Sequence, residues 1–70
     1  MTFGARLKSL RNAKTLSQMK VSDATGIPQT TLSDLENDKY LPDIEQILKI
    51  AGALGTTTSY LLGESQNSAA

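Results

Sequence analysis

Apolar positions recur along this chain at helical spacing. Phe3, Leu7 and Leu10 fall four and three residues apart, which predicts a first helix of about three turns with one inward stripe. Leu16 precedes Ser17, a good N-cap, and can staple a second helix running from about Gln18 to Ala24, with Val21 and Ala24 inward. Gly26 is suited to end that helix with a positive φ. Ile27 then anchors a turn, and Pro28 fits the first turn of a third helix. In that helix Thr31, Leu32 and Leu35 share one face, while Gln29, Thr30 and Ser33 fall mostly on the other.

The pattern continues after the turn formers Asn37 and Asp38. Pro42 and Asp43 mark a fourth helix start, and Ile44, Ile47, Leu48, Ala51 and Leu54 make the clearest apolar stripe, stopped by Gly55. Thr57 can cap a last short helix carrying Leu61 and Leu62 and closed by Gly63. No strand alternation is present, and the connections are short. The reading is an all-α, compact five-helix bundle over residues 1–63, with residues 64–70 as a flexible tail that has nothing to bury. Its expected core is Phe3, Leu7, Leu10, Leu16, Val21, Ala24, Ile27, Leu32, Leu35, Ile44, Ile47, Leu48, Ala51, Leu54, Leu61 and Leu62.

Composition narrows the chemistry. The 70 residues include no cysteine and no histidine, so there is no disulfide framework, no thiolate metal site and no histidine-based acid–base pair. The carboxylates lack metal-ligand spacing, the glycines form no phosphate-binding cluster, and neither catalysis nor a cofactor, metal or small-molecule ligand is expected. No apolar run is long enough for a membrane span, and "MTFGARLKSL" lacks a secretory h-region, so a cytoplasmic domain is expected. Seven Lys and Arg balance seven Asp and Glu, which argues against strong nonspecific attraction to a polyanion. The distribution is uneven, since Arg6, Lys8, Arg11, Lys14 and Lys20 all precede the first acid at Asp23.

The second and third segments carry the functional signal. Two short helices joined by a glycine-containing turn, the second presenting small polar side chains, make a helix-turn-helix. Its packed residues leave the outer face of the second helix free to enter a major groove. The stretches "FGARLKSLRNAKTLSQ", "GIPQTTLSDLEND", "LKIAGALG" and "YLLG", in that order, resemble the Cro/C1-type helix-turn-helix domain of phage repressors and many small bacterial regulators. The resemblance covers roughly Phe3 to Gly63 and implies a lambda-repressor-like fold. It further implies a sequence-specific double-stranded DNA-binding transcriptional regulator, bacterial or phage-encoded, most simply a repressor on a pseudo-palindromic operator.

By that resemblance, Gln29 and Thr30 match positions that face base edges, and Ser33 and Asp34 match neighbouring reading positions. Gln18, Asn37 and Lys39 match DNA-backbone contacts. Arg11 and Glu36 match a structural salt bridge. Gln29 suits adenine N6 and N7, and Asp34 can accept from cytosine N4. A single short recognition helix reads few base pairs, so a homodimer is expected on DNA, with Ile50, Thr58 and Tyr60 as its candidate surface; Ile50 and Tyr60 could equally complete the core. Three positions depart from the family pattern. Ser22 and Thr25 replace alanine and a bulky apolar residue, and are expected to weaken second-helix packing, by about 1 kcal/mol each where their hydroxyls are bonded locally. Asp38 replaces a glycine and adds an acid beside the backbone-contacting loop. Asp34, Asp38 and the zero net charge favour the rival reading, a protein-binding adaptor or antirepressor without DNA binding.

Overall fold

A computed structural model describes residues 1–63; the expected tail lies outside the described residues. Within them the chain forms α1 (Phe3–Ala13), α2 (Gln18–Thr25), α3 (Gln29–Glu36), α4 (Ile44–Leu54) and α5 (Thr58–Leu62), and no strand. Four of the five starts are capped by side chains: Thr2, Ser17, Asp43 and Thr57 each accept from a first-turn backbone N–H. Asp43 and Gln46 complete a reciprocal capping box. Such caps matter in short helices, where unsatisfied terminal groups are a large fraction of the total.

The helices close around Leu7, Val21, Ile27, Leu32, Leu35, Ile50, Ala51, Leu54 and Leu61, with Phe3, Leu10 and Leu16 packed at the margin. α3 lies against α1 and α2, and α4 against α2 and α5, so α3 keeps one face outward. Several expected core positions are elsewhere. Ile44, Leu48 and Leu62 are exposed, Ile47 is half-buried, and Ile50 is fully buried. At 3.6 residues per turn, Ile47, Ile50, Ala51 and Leu54 fit within an arc of about 100°, whereas Ile44 and Leu48 fall beyond its edge. The stripe in α4 is therefore two stripes, and only one meets the bundle. In α2 the inward row is Val21 and Thr25, four residues apart, and Ala24 faces out.

Two helix ends use left-handed residues other than glycine. After α1, the Thr15 N–H donates to the Asn12 carbonyl and the Leu16 N–H to that of Arg11, with Thr15 at φ 54°. After α3, the Asp38 and Lys39 N–H groups donate to the Leu35 and Asp34 carbonyls, with Asp38 at φ 58°. Both are the paired-bond ending that usually takes glycine. Gly4 has a different reason. A Cβ there would sit 2.5 Å from the carbonyl oxygens of both Leu35 and Glu36, so α1 approaches the end of α3 only because the side chain is absent.

Candidate nucleic-acid interface

The turn between α2 and α3 is tied by hydroxyls. The Ser22 Oγ donates to the Ile27 carbonyl at 2.6 Å. The Thr25 hydroxyl donates to the Val21 carbonyl at 2.7 Å and accepts from the Ile27 N–H at 3.1 Å. Gly26 between them sits at φ 77°. The two residues expected to loosen α2 thus satisfy polar groups of the turn, each bond contributing about 1 kcal/mol net. They tie the end of α2 to the turn that leads into α3.

On α3, Gln29 and Thr30 stand exposed in the first turn, and Ser33 and Asp34 are half-buried one turn later. Pro28 stands at the N-cap position without a side-chain cap, so the first-turn backbone N–H groups receive no capping hydrogen bond. Asp34 is tethered: Lys39 Nζ lies 3.7 Å from one carboxylate oxygen, and the Tyr40 hydroxyl donates to the other at 3.4 Å. The Lys39 pair is solvent-exposed, within the 0 to about 1 kcal/mol of surface pairs, so a stronger anion can draw the ammonium away. Asn37 is exposed and donates to the Ser33 carbonyl at 2.9 Å. Tyr40 was not among the residues singled out from sequence; an aromatic in a loop gives no signal until its reach to Asp34 is known.

Behind α3 lies a partly buried ionic cluster. Arg11 Nε and Nη2 donate to the two Glu36 carboxylate oxygens at 2.6 and 3.1 Å, and Nη1 donates to the Leu16 carbonyl at 2.8 Å. Gln18 Nε2 donates to the same Glu36 at 3.1 Å. The hydrogen bonds it donates to Glu36 hold the Arg11 guanidinium still more firmly protonated, overcoming the opposing effect of burial. The cluster joins α1, the start of α2 and the end of α3. Gln18 is thereby oriented by Glu36, with its amide oxygen left to accept.

Asp38 is not a free acid in the loop. Its carboxylate accepts from the Thr2 hydroxyl at 2.6 Å and from the Gly4 N–H at 2.9 Å, pinning the start of α1 to the loop after α3. A negative charge at that helix N-terminus is favourable. The dimer surface expected at Ile50, Thr58 and Tyr60 needs correction. Ile50 has no exposed area, because it lies on the inward arc of α4, and Thr58 is half-buried. Tyr60 is 36% exposed and has the Arg6 guanidinium 6.0 Å above its ring. No described helix is long and apolar enough to cross a membrane.

Known proteins share this arrangement. The helix-turn-helix family matches residues 7–61. The immunity repressor protein of Bacillus phage phi105 is 34% identical over 64 residues, covering 91% of this chain and 44% of the repressor. The chain spans about half the length of the curated relatives it matches. Among solved structures, the restriction-modification controller protein C.AhdI from Aeromonas hydrophila aligns with a TM-score of 0.83 at 33% identity, covering 86% of this chain and 91% of that one. The P22 c2 repressor, solved in complex with a synthetic operator, aligns with a TM-score of 0.86 at 23% identity, covering 91% and 97%. This last likeness concerns the fold.

Proposed function

The chain belongs to the Cro/C1-type helix-turn-helix family, and from that premise we propose that it binds double-stranded DNA sequence-specifically and represses transcription. The observation that carries the reading is the outward face of α3, with Gln29 and Thr30 exposed on an uncapped first turn while the helix's last residue, Glu36, is anchored to Arg11 and Gln18. Placed in a major groove, that turn brings an amide and a hydroxyl to base edges, while backbone N–H groups face phosphate. The relative named an immunity repressor supports the sign of regulation. Repression needs no chemistry: a protein seated over a promoter excludes polymerase by position, which accords with a chain lacking histidine and cysteine.

In this reading Gln29, Thr30 and Ser33 contact bases. Asp34 selects by accepting from cytosine and repelling edges that present only acceptors. Gln18, Asn37 and Lys39 hold the DNA backbone, and Lys39 leaves Asp34 to do so. Two copies bind a pseudo-palindromic site, their third helices about 34 Å apart in successive grooves. The adaptor reading loses one of its supports, since the Asp38 carboxylate is engaged by Thr2 and the start of α1. Selection from a randomised duplex library at low salt tests the proposal. An enriched, two-fold related motif is expected; no enrichment at any salt concentration would rule it out.

A further inference from the structure

The loop after α3 holds both carboxylate oxygens of Asp34. Lys39 Nζ lies 3.7 Å from one, and the Tyr40 hydroxyl donates to the other at 3.4 Å. The Lys39 N–H also donates to the Asp34 carbonyl at 3.0 Å, so loop and residue are joined through the main chain as well. The loop itself has a fixed base. Asp38, two residues before Tyr40, accepts from the Thr2 hydroxyl and the Gly4 N–H, which ties it to the start of α1. Tyr40 therefore reaches Asp34 from an anchored segment. Its side chain is 48% exposed and lies outside the core, so packing does not account for an aromatic at this position.

The two partners of Asp34 respond differently to a groove lined with phosphate. The Lys39 ammonium is a cation on a flexible stem, 66% exposed, and phosphate draws it away. The Tyr40 phenol is neutral and feels no such pull. Once Lys39 has moved, Tyr40 is the one of the two that still holds Asp34. A carboxylate accepts on both oxygens, so a hydroxyl on one leaves the other to take an amino group of a base. An unheld carboxylate can turn between the amino groups of neighbouring base pairs, and its discrimination falls. We propose that Tyr40 is a specificity-determining positioning residue, whose hydroxyl fixes the Asp34 carboxylate so that its free oxygen meets cytosine N4 at a single base pair. The inference rests on the reading that α3 enters a major groove with Asp34 toward the bases.

Tyr40→Phe keeps the ring and removes only the hydroxyl. Selections from one randomised duplex library, at one salt concentration, compare the wild type with Tyr40→Phe, Asp34→Ala, Lys39→Ala and the Asp34→Ala, Tyr40→Phe double variant. Asp34→Ala should lose preference at one base pair per half-site. Tyr40→Phe should relax that same base pair, lowering discrimination about threefold to tenfold, the worth of one net hydrogen bond, with the rest of the motif unchanged. In the Asp34→Ala background it should change nothing further. Loss of folded protein cannot mimic this result, because it lowers binding to every duplex equally. Lys39→Ala should weaken binding to all sequences alike and keep the preference. A Tyr40→Phe motif identical to that of the wild type would overturn the proposal. So would a uniform weakening that persists without Asp34, which would make the hydroxyl a phosphate contact, or a preference relaxed by Lys39→Ala and not by Tyr40→Phe. A wild type that enriches no motif would instead refute the DNA reading itself, and this inference with it.

Discussion

Removing the Glu36 carboxylate should cost this domain a large part of its stability. Glu36→Ala deletes an acceptor reached by Arg11 Nε at 2.6 Å, Arg11 Nη2 at 3.1 Å and Gln18 Nε2 at 3.1 Å. The Arg11 and Glu36 side chains are 12% and 4% exposed, so water cannot fully replace the lost partner. Breaking such a buried pair costs about 3 to 5 kcal/mol. Arg11 keeps its bond to the Leu16 carbonyl, which places the loss near the lower end, about 3 kcal/mol. A chain of this length has on the order of 4 to 10 kcal/mol in all. In urea unfolding followed by far-ultraviolet circular dichroism, a slope of about 1 kcal/mol/M gives a midpoint lower by about 3 M. Arg11→Ala should be comparably harmful, and a double-mutant cycle should give a coupling of about 2 kcal/mol. The Arg11 pKa is raised in the folded state, so its contribution is fully present below the unfolded value and lost only as pH rises through the folded one. That window lies at the alkaline extreme, and the coupling should be the same at neutral and mildly alkaline pH. A coupling below about 0.5 kcal/mol, the level of exposed pairs, would refute the reasoning.

Four substitutions test the packing and the turns that position α3. Gly4→Ala should lose about 3 kcal/mol by forcing a Cβ onto the Leu35 and Glu36 carbonyls; a neutral result in urea would show that α1 can shift without cost. Ile50→Ala should lose about 3 kcal/mol and Ile44→Ala less than about 0.5, and equal losses would contradict the division of α4 into two stripes. Thr15→Gly should gain about 0.5 to 1 kcal/mol by relieving a β-branched residue at φ 54°, visible as a higher thermal midpoint; a lower midpoint would mean that Thr15 is unstrained.

Much of this architecture can be read from periodicity and punctuation. Gly26, Gly55 and Gly63 all end helices at positive φ, and Ser17, Asp43 and Thr57 all cap them, because capping is local chemistry between residues a few positions apart. The failures lie where the answer depends on distant residues. Both Ile44 and Ile50 are apolar on one helix, and only the placement of α2 and α5 decides which is inside. Ser22 and Thr25 look like departures that weaken α2, and Asp38 like an acid added beside the loop, until the acceptors and donors they reach are seen. Gly4 looks unremarkable because its constraint comes from carbonyls more than thirty residues away. The roles proposed for Gln29, Thr30, Ser33 and Asp34 come from family resemblance, since a polar residue on a helix surface carries no signal of what it will touch.

The central claim is that the exposed first turn of α3 reads base pairs. Parallel selections with the wild-type protein and Gln29→Ala, from one randomised duplex library at one salt concentration, address it most directly. The account predicts that the variant recovers the same motif with preference relaxed at one base pair per half-site, and that it binds the wild-type site about 1 to 3 kcal/mol more weakly. Identical motifs and equal affinities from the two proteins would show that Gln29 does not face the bases, and that α3 is not seated in the groove as proposed.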